Sequence, residues 1–556
     1  MHLNKNKISV FILSLFVALL SFSDSNAQTP NAIAQWIHSM KAESRENNFQ
    51  PVTVFENTLT EKRMNAVFGE TEILNPQTDA LNVLFQDAPA TMEFEIPVPG
   101  GAAVVLQLAQ VNIKTEDFSV GTKTNSGNHP FNYTDGVHYR GIVKGNDNSI
   151  ATISIFNNEL VGMISSDEGT FTLGKMDDES DSYIFYNSTK SNYHPVMDCY
   201  TDESNYQISG SQAQSRGVAC KVVKVYFECD YQMYLDHSSD VTATANYVTS
   251  LFNQVSTLYA NENIEIQIQQ IYVWTVTDPY VSYSTASALL PVFSSNNSPF
   301  TNGNLAHFLS TRSLGGGVAY LSGLCSSYSC FAVSMVYNSF SNVPTYSWSV
   351  EVVTHEMGHN LSSPHTHNCS WAGGPIDNCG PTAGYPTEGG CADGPTPTNG
   401  GTIMSYCHLV SGVGINFNNG FGPLPGNLIR NYVTIASCVS QTGIVPSGLA
   451  ASNISNETAT VTWNAVSGTS TYTVQYKKST ETNWTTAGTT SATTFNLVGL
   501  SHPVIYNWKV KTDCSNYSTA SNFTTINVAA CAKPTNLLAT NITASSATIS
   551  WSSVAA

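Results

Sequence analysis

His355 and His359 stand four residues apart with Glu356 beside the first, and a third histidine, His365, follows six residues after the second. Histidines at this spacing lie one above the other on one helix face, so both imidazoles reach a single ion. Val350, Val353, Met357 and Leu361 recur at helical spacing and predict a helix, with Ser347 or Ser349 as a candidate cap. Ser362, Ser363 and Pro364 end it, because proline disfavours helical geometry in the residue before it, and the turn brings His365 back. Three protein ligands leave a fourth position for water, the arrangement of a catalytic zinc site, with Glu356 placed as general base. An HExxH alone also arises by chance in helices; the third histidine on a helix-breaking sequence is what points to zinc. His367, two residues on, is an alternative third ligand that the six-residue spacing disfavours.

The stretch from His355 to His365 resembles the metzincin metalloproteases, whose signature is HExxHxxGxxH followed by a methionine-containing turn. Gly401 to His408 is similar to that turn, which makes Met404 the expected apolar floor beneath the histidines, binding no metal; a lone methionine would otherwise be read as core. The family glycine falls on Ser362, where a left-handed backbone would cost a side chain roughly 1 kcal/mol.

Export follows from the first 27 residues. Lys5 and Lys7 precede an apolar run from Ile8 to Leu20 and a small-residue cleavage site, Ser25-Asn26-Ala27. A membrane anchor fits less well, since the run is short and no other long apolar segment follows. Twelve cysteines in an exported chain favour disulfides. A formal charge of −18 argues against nucleic acid and anionic membranes as partners.

Residues 28–216 carry no catalytic motif. Ala103 to Leu108 and Ile150 to Ile155 read as strands, with Gly145 to Asn148 as a turn. Tyr139 to Gly145, continuing to Leu160–Ile164, resembles the pro-domain of reprolysin-type (adamalysin) enzymes, which implies an inhibitory propeptide. Cys199 has two readings: a latency thiol that reaches the zinc, or half of a disulfide. Parity favours the second, because only then do all twelve cysteines pair. The polar stretch Gln207 to Gln214 before Ser215-Arg216-Gly217 is an accessible linker, with maturation expected near Arg216.

Strand, helix and strand are expected over Val222–Asp230, Val241–Tyr259 and Ile264–Trp274, opening an α/β domain of residues 217–440. In the reprolysin family the glycine-rich stretch that here includes Gly317, Val318, Ala319 and Tyr320 contains a cleft-lining edge strand, to which a peptide substrate adds as another strand. His307 reads as a packed or solvated helix residue rather than a ligand, and His408 as a neighbour of the pocket wall or substrate. Cysteines 369, 379 and 391 are expected to cross-link the loop after the zinc motif. A structural Ca2+ is common in the family, but its first-strand acidic position falls on Lys224, so no calcium ligand set is identified.

Beyond residue 440, Pro446–Trp463 repeats as Pro534–Trp551. Short alternating strands at this period indicate a β-sandwich and resemble fibronectin type III over residues 445–527; a second copy, 532–556, stops after its second strand. The expected architecture is thus multidomain: a β-rich pro-domain, an α/β metzincin catalytic domain with a mixed twisted sheet and a zinc-binding helix, and an all-β sandwich. The implied function is a secreted Zn2+-dependent endopeptidase, made as a zymogen, that acts on protein or peptide substrates, with no membrane insertion. Its sandwich is expected to bind surface or extracellular ligands. The rival reading is an inactive metzincin-like adhesion or carbohydrate-binding protein, against which the intact Glu356 speaks.

Overall fold

The computed structural model describes residues 31–43, 49–56, 62–65, 69–98, 102–176, 181–190, 198–203, 206–208, 219–337, 346–441, 443, 445–464, 466, 471–527 and 533–554. The expected leader and Arg216 lie outside them.

Alternating apolar residues build a ten-stranded N-terminal sheet, in which Ile150–Phe156 pairs antiparallel with both Val137–Val143 and Glu159–Ser166. The turn expected at Gly145 is present, with its φ at +82°. Fully buried Phe94, Tyr139, Ile153 and Leu160 fill one core of this sheet.

A second, nine-stranded sheet follows, its parallel heart formed by Ala219–Cys229 between Ile264–Trp274 and Leu305–Ser310. Phe331–Met335 continues it, and Gly316–Ala319 runs antiparallel to Phe331–Met335. The expected boundary at 216/217 does not divide this sheet. Lys114–Thr124 pairs in parallel with Ile264–Trp274 and turns back through Gly127–Phe131, so a hairpin from the N-terminal region covers an edge whose backbone groups would otherwise be unpaired. Lys123 of the hairpin forms an ion pair with Glu228, which is fully buried and also accepts hydrogen bonds from Trp274 (2.7 Å) and Tyr226 (2.9 Å).

The helix Val241–Asn261 lies between the two sheets. Asp240 caps its first turn by accepting from the Thr242 and Ala243 amides. Its expected apolar stripe, Tyr247, Leu251, Val255 and Leu258, is buried. Its other buried residues include Asn253, Ser256 and Thr257, and these meet the N-terminal sheet through hydrogen bonds. Arg140 donates to Thr257 (2.9 Å) and Ser256 (3.0 Å), and Asn253 donates to Ser154 (3.1 Å). These bonds sit within a continuous apolar contact, for Ile142, Ile150, Val161 and Met163 of the N-terminal sheet belong to the same core cluster as Val248, Leu251 and Val255 of the helix.

Seven strands in a three-stranded and a four-stranded sheet make the C-terminal sandwich, around buried Trp463, Trp508, Val474 and Tyr506. The repeat's second copy is a two-stranded hairpin, Thr535–Thr540 with Thr548–Ser552, whose Leu538 and Trp551 are exposed. Among the described residues, no helix is long and apolar enough to cross a membrane.

Candidate active site

The motif helix spans Tyr346–Asn360, so Ser347 and Ser349 sit inside it rather than capping it. Ser349 instead accepts from the Tyr337 amide at 2.9 Å, which ties the helix to the chain leaving Phe331–Met335. Past the helix end Ser362 has φ +82°, the left-handed conformation that the family's glycine would supply. Its hydroxyl is held by Tyr206 (2.8 Å) and Ser322 (2.9 Å).

This turn carries His365 to the other two histidines. Each imidazole has its Nδ1 engaged: His355 with the Ile403 carbonyl (2.7 Å), His359 with the Ser363 carbonyl (2.8 Å) and His365 with Glu388 (2.9 Å). A proton on Nδ1 leaves the Nε2 lone pair as the free donor. The Nε2 atoms of His355 and His359 lie 3.1 Å apart, and that of His365 is buried without a hydrogen-bond partner. Burial holds His355 and His359 well below the usual imidazole range, in the neutral form that binds metal. One ligand atom from each of the three and the Cys199 sulfur all lie within 4.8 Å of one another. Three imidazoles and a thiol in a cluster of tetrahedral size fit a zinc ion.

The expected alternatives separate in space. His367 is buried and stacks on the His365 ring at 5.1 Å, beside Glu388 rather than facing His355 and His359. His307 lies in a strand, not a helix, where it packs against Phe227 and bonds Ser334 (2.8 Å). The apolar run Ala306–Leu309 suits a fully buried strand as well as a helix, and local pattern alone does not separate the two. Lys224 reaches Asp117 of the N-terminal region at 4.0 Å.

Met404 is fully buried under the helix. A Cβ on Gly358 would stand 2.5 Å from its sulfur, so glycine is needed where helix and floor touch. The disulfide Cys379–Cys407 pins the floor turn to the loop, Cys369–Cys391 closes the loop itself, and Cys325–Cys438 fastens the region after the edge strand to the end of the last helix. Cys199, Cys229 and Cys330 remain thiols, the latter two buried. Parity thus misjudged the chain: a buried cysteine serves as a small apolar side chain and needs no partner.

Glu356 is fully enclosed, and burial lifts its carboxyl to about 8. The strand Gly316–Ala319 crosses directly above it. A Cβ at Gly317 would meet the Glu356 carboxylate at 2.3 Å, while Val318 and Ala319 are buried and the Tyr320 carbonyl accepts from Asn360 (2.8 Å).

The free side of that strand is covered by the N-terminal region. Asp198–Cys199 pairs with Gly316–Gly317 in parallel, Tyr200 donates to the Gly317 carbonyl (3.2 Å), and Thr201 bridges both backbone groups of Ala319. The Cys199 sulfur lies 3.3 Å from His359 Nε2 and 3.8 Å from Glu356, and Tyr406 donates to the Cys199 carbonyl (2.8 Å). Glu203 follows, fully enclosed behind the histidines. It accepts from the His365 amide (2.9 Å) and from Asn368 (3.0 Å). Burial raises Glu203; burial also opposes charge on Glu388, but His365 holds that carboxyl below the usual range. Sequence reading missed Glu203 and Glu388, which carry no local motif and meet His365 only through the fold.

Residues 219–413 match the family model Reprolysin_5 of metallo-peptidase family M12. Structures similar to parts of the chain include the fibronectin type III domain of human contactin 1 (15% identity, 16% of this chain, 85% of that one, TM-score 0.15). Another is a fibronectin type III domain from human KIAA0970 protein (19% identity, 15% and 75%, TM-score 0.14). A third is titin kinase with its flanking domains (21% identity, 16% and 18%, TM-score 0.15), so the chain spans less than a fifth of that structure's length. The match to an M12 reprolysin-like metallopeptidase domain thus covers residues 219–413 of this multidomain chain.

Proposed function

We propose that the chain is a secreted zinc endopeptidase, made latent by its own N-terminal region. The observation that supports this most strongly is the convergence of His355, His359, His365 and Cys199 beside a buried glutamate. When bound, zinc supplies Lewis-acid polarisation of the scissile carbonyl and of the attacking water. His355, His359 and His365 would hold it, their tautomers fixed by Ile403, Ser363 and Glu388. Gly316–Ala319 binds the substrate backbone as an added strand. Glu356, enclosed beside the histidine cluster, takes the water's proton and delivers it to the leaving amine.

In the latent form Asp198–Cys199 occupies that same strand edge, so substrate and N-terminal region exclude one another. Three disulfides agree with an extracellular site.

Casein digestion by the processed chain, with and without chelator, tests the reading. Loss of digestion on chelation and its return with zinc are expected, and Glu356→Gln should bind zinc yet digest nothing. Full activity in chelator, or substantial activity in Glu356→Gln, overturns it; zinc bound without any digestion would favour the inactive adhesion protein.

A further inference from the structure

The charge of the C-terminal sandwich runs against that of the chain. Residues 445–527 carry four lysines against three acidic residues, Glu457, Glu481 and Asp513, while the whole chain has a formal charge of −18. Three of those lysines share one face of the four-stranded sheet. Lys509 and Lys511 alternate along Ile505–Thr512 with buried Trp508 and Val510. Lys477 comes from the antiparallel strand Tyr472–Lys478, opposite Asn507 and so on the same side.

Two rings join the three cations into a ladder. The Lys477 ammonium lies 5.1 Å from the Trp484 ring, and Lys509 lies 4.2 Å from Trp484 and 4.4 Å from Tyr517. Lys511 stands 5.2 Å from the far end, Tyr517. All five side chains are half-buried. Among the described residues no carboxylate comes within ion-pair distance of these three ammonium groups. Lys477 donates to the Glu481 carbonyl (2.8 Å), and the Glu481 carboxylate belongs to Lys478 (3.9 Å). Burial, and after it the Lys477 charge, holds Lys509 below the usual lysine range.

The rest of the face narrows the partner. Neighbouring lysines are about 7 Å apart along and across the strands, so they meet single charges at intervals. Thr473, Gln475 and Asn507 fill the positions between and beside them, and such groups hydrogen-bond hydroxyls rather than acyl chains. Nucleic-acid bases need open ring faces to stack, and ammonium groups already lie over Trp484 and Tyr517. A densely sulfated polymer brings more negative charge than three lysines match in a molecule of −18.

We propose that this ladder docks an acidic polysaccharide bearing one carboxylate per sugar, with Lys477, Lys509 and Lys511 pairing its carboxylates. The site goes beyond the peptidase reading and stands whether or not the chain digests protein.

Binding of the full chain to immobilised polygalacturonate tests it, with dextran, heparin, single-stranded DNA and anionic phospholipid vesicles as the other arms. Polygalacturonate should be bound, and less tightly as salt rises from about 50 to about 300 mM. Lys509→Gln should weaken binding about tenfold, whereas Lys509→Arg should keep most of it. Lys478→Gln should leave it unchanged, since Lys478 pairs with Glu481 and stands opposite buried Tyr506. Should Lys509→Gln unfold the sandwich, the double variant Lys477→Gln with Lys511→Gln, at the ends of the ladder, gives the same reading. Failure to bind polygalacturonate, or equal binding of dextran, overturns the inference. So does tighter binding of heparin, DNA or vesicles, or an equal loss in Lys478→Gln and Lys509→Gln.

Discussion

The Tyr206 hydroxyl donates to the Ser362 carbonyl at 2.7 Å and lies 2.8 Å from the Ser362 hydroxyl. This contact explains why a side chain occupies a left-handed position. Glycine would remove roughly 1 kcal/mol of backbone strain, but would lose hydroxyl contacts worth about 1 kcal/mol each. Ser362→Gly should therefore shift stability by only about 1 kcal/mol. Ser362→Ala keeps the strain, loses the same contacts and should cost about 2 kcal/mol. Urea unfolding of the two variants checks the order; alanine the more stable would contradict it.

Latency should rest on two points of the N-terminal segment rather than one. Cys199 blocks the histidine cluster from the front, and Glu203 holds the His365 amide and Asn368 from behind. Removing an enclosed carboxylate acceptor costs about 1.5–3 kcal/mol, a tenfold or greater shift towards the open form. Unprocessed Glu203→Ala should show about tenfold more peptidase activity than unprocessed wild type, and Cys199→Ala with Glu203→Ala more than either alone. Equal basal rates in wild type and Glu203→Ala would remove Glu203 from the lock.

The hairpin on the far edge of the sheet should be more than a cover. Glu228 is fully buried, and Lys123 is its cationic partner. Deleting one member of a buried pair typically costs about 3–5 kcal/mol, because the other charge is left without compensation. Lys123→Met should destabilise the full chain by about that amount, and Lys123→Met with Glu228→Gln by less. Differential scanning calorimetry of the three proteins measures the coupling; strictly additive losses would show that the pair does not act as a unit.

The three-histidine cluster was legible because helical spacing makes neighbours of His355 and His359 and a proline turn returns His365. The sheet's continuation into the N-terminal region was not. Lys114–Thr124 alternates no differently from a strand of its own domain, and nothing local says that its partner is Ile264–Trp274. Glu203 and Glu388 were missed for a related reason. A carboxylate is read as solvated unless spacing pairs it with something, and their partner His365 is chosen by tertiary packing. His307 erred through period: a short apolar run in a parallel sheet, buried on both faces, lacks the alternation that marks a strand.

His307 also predicts how the chain responds to acid. Burial drops it from 6.5 to about 3, and it is enclosed between Phe227 and Ser334. The unfolded chain therefore takes up a proton below about pH 6.5 that the folded chain refuses until about pH 3. Its contribution is fully present above pH 6.5 and falls as the pH drops, at up to about 1.4 kcal/mol per pH unit. Between about pH 7 and pH 4.5 this amounts to roughly 2–3 kcal/mol. His307→Gln, which keeps a polar group near Ser334 but does not titrate, should lose less stability over that interval by this margin. Urea midpoints at the two pH values, compared between variant and wild type, provide the measurement; parallel losses in the two proteins would mean that His307 is not the acid-sensitive group.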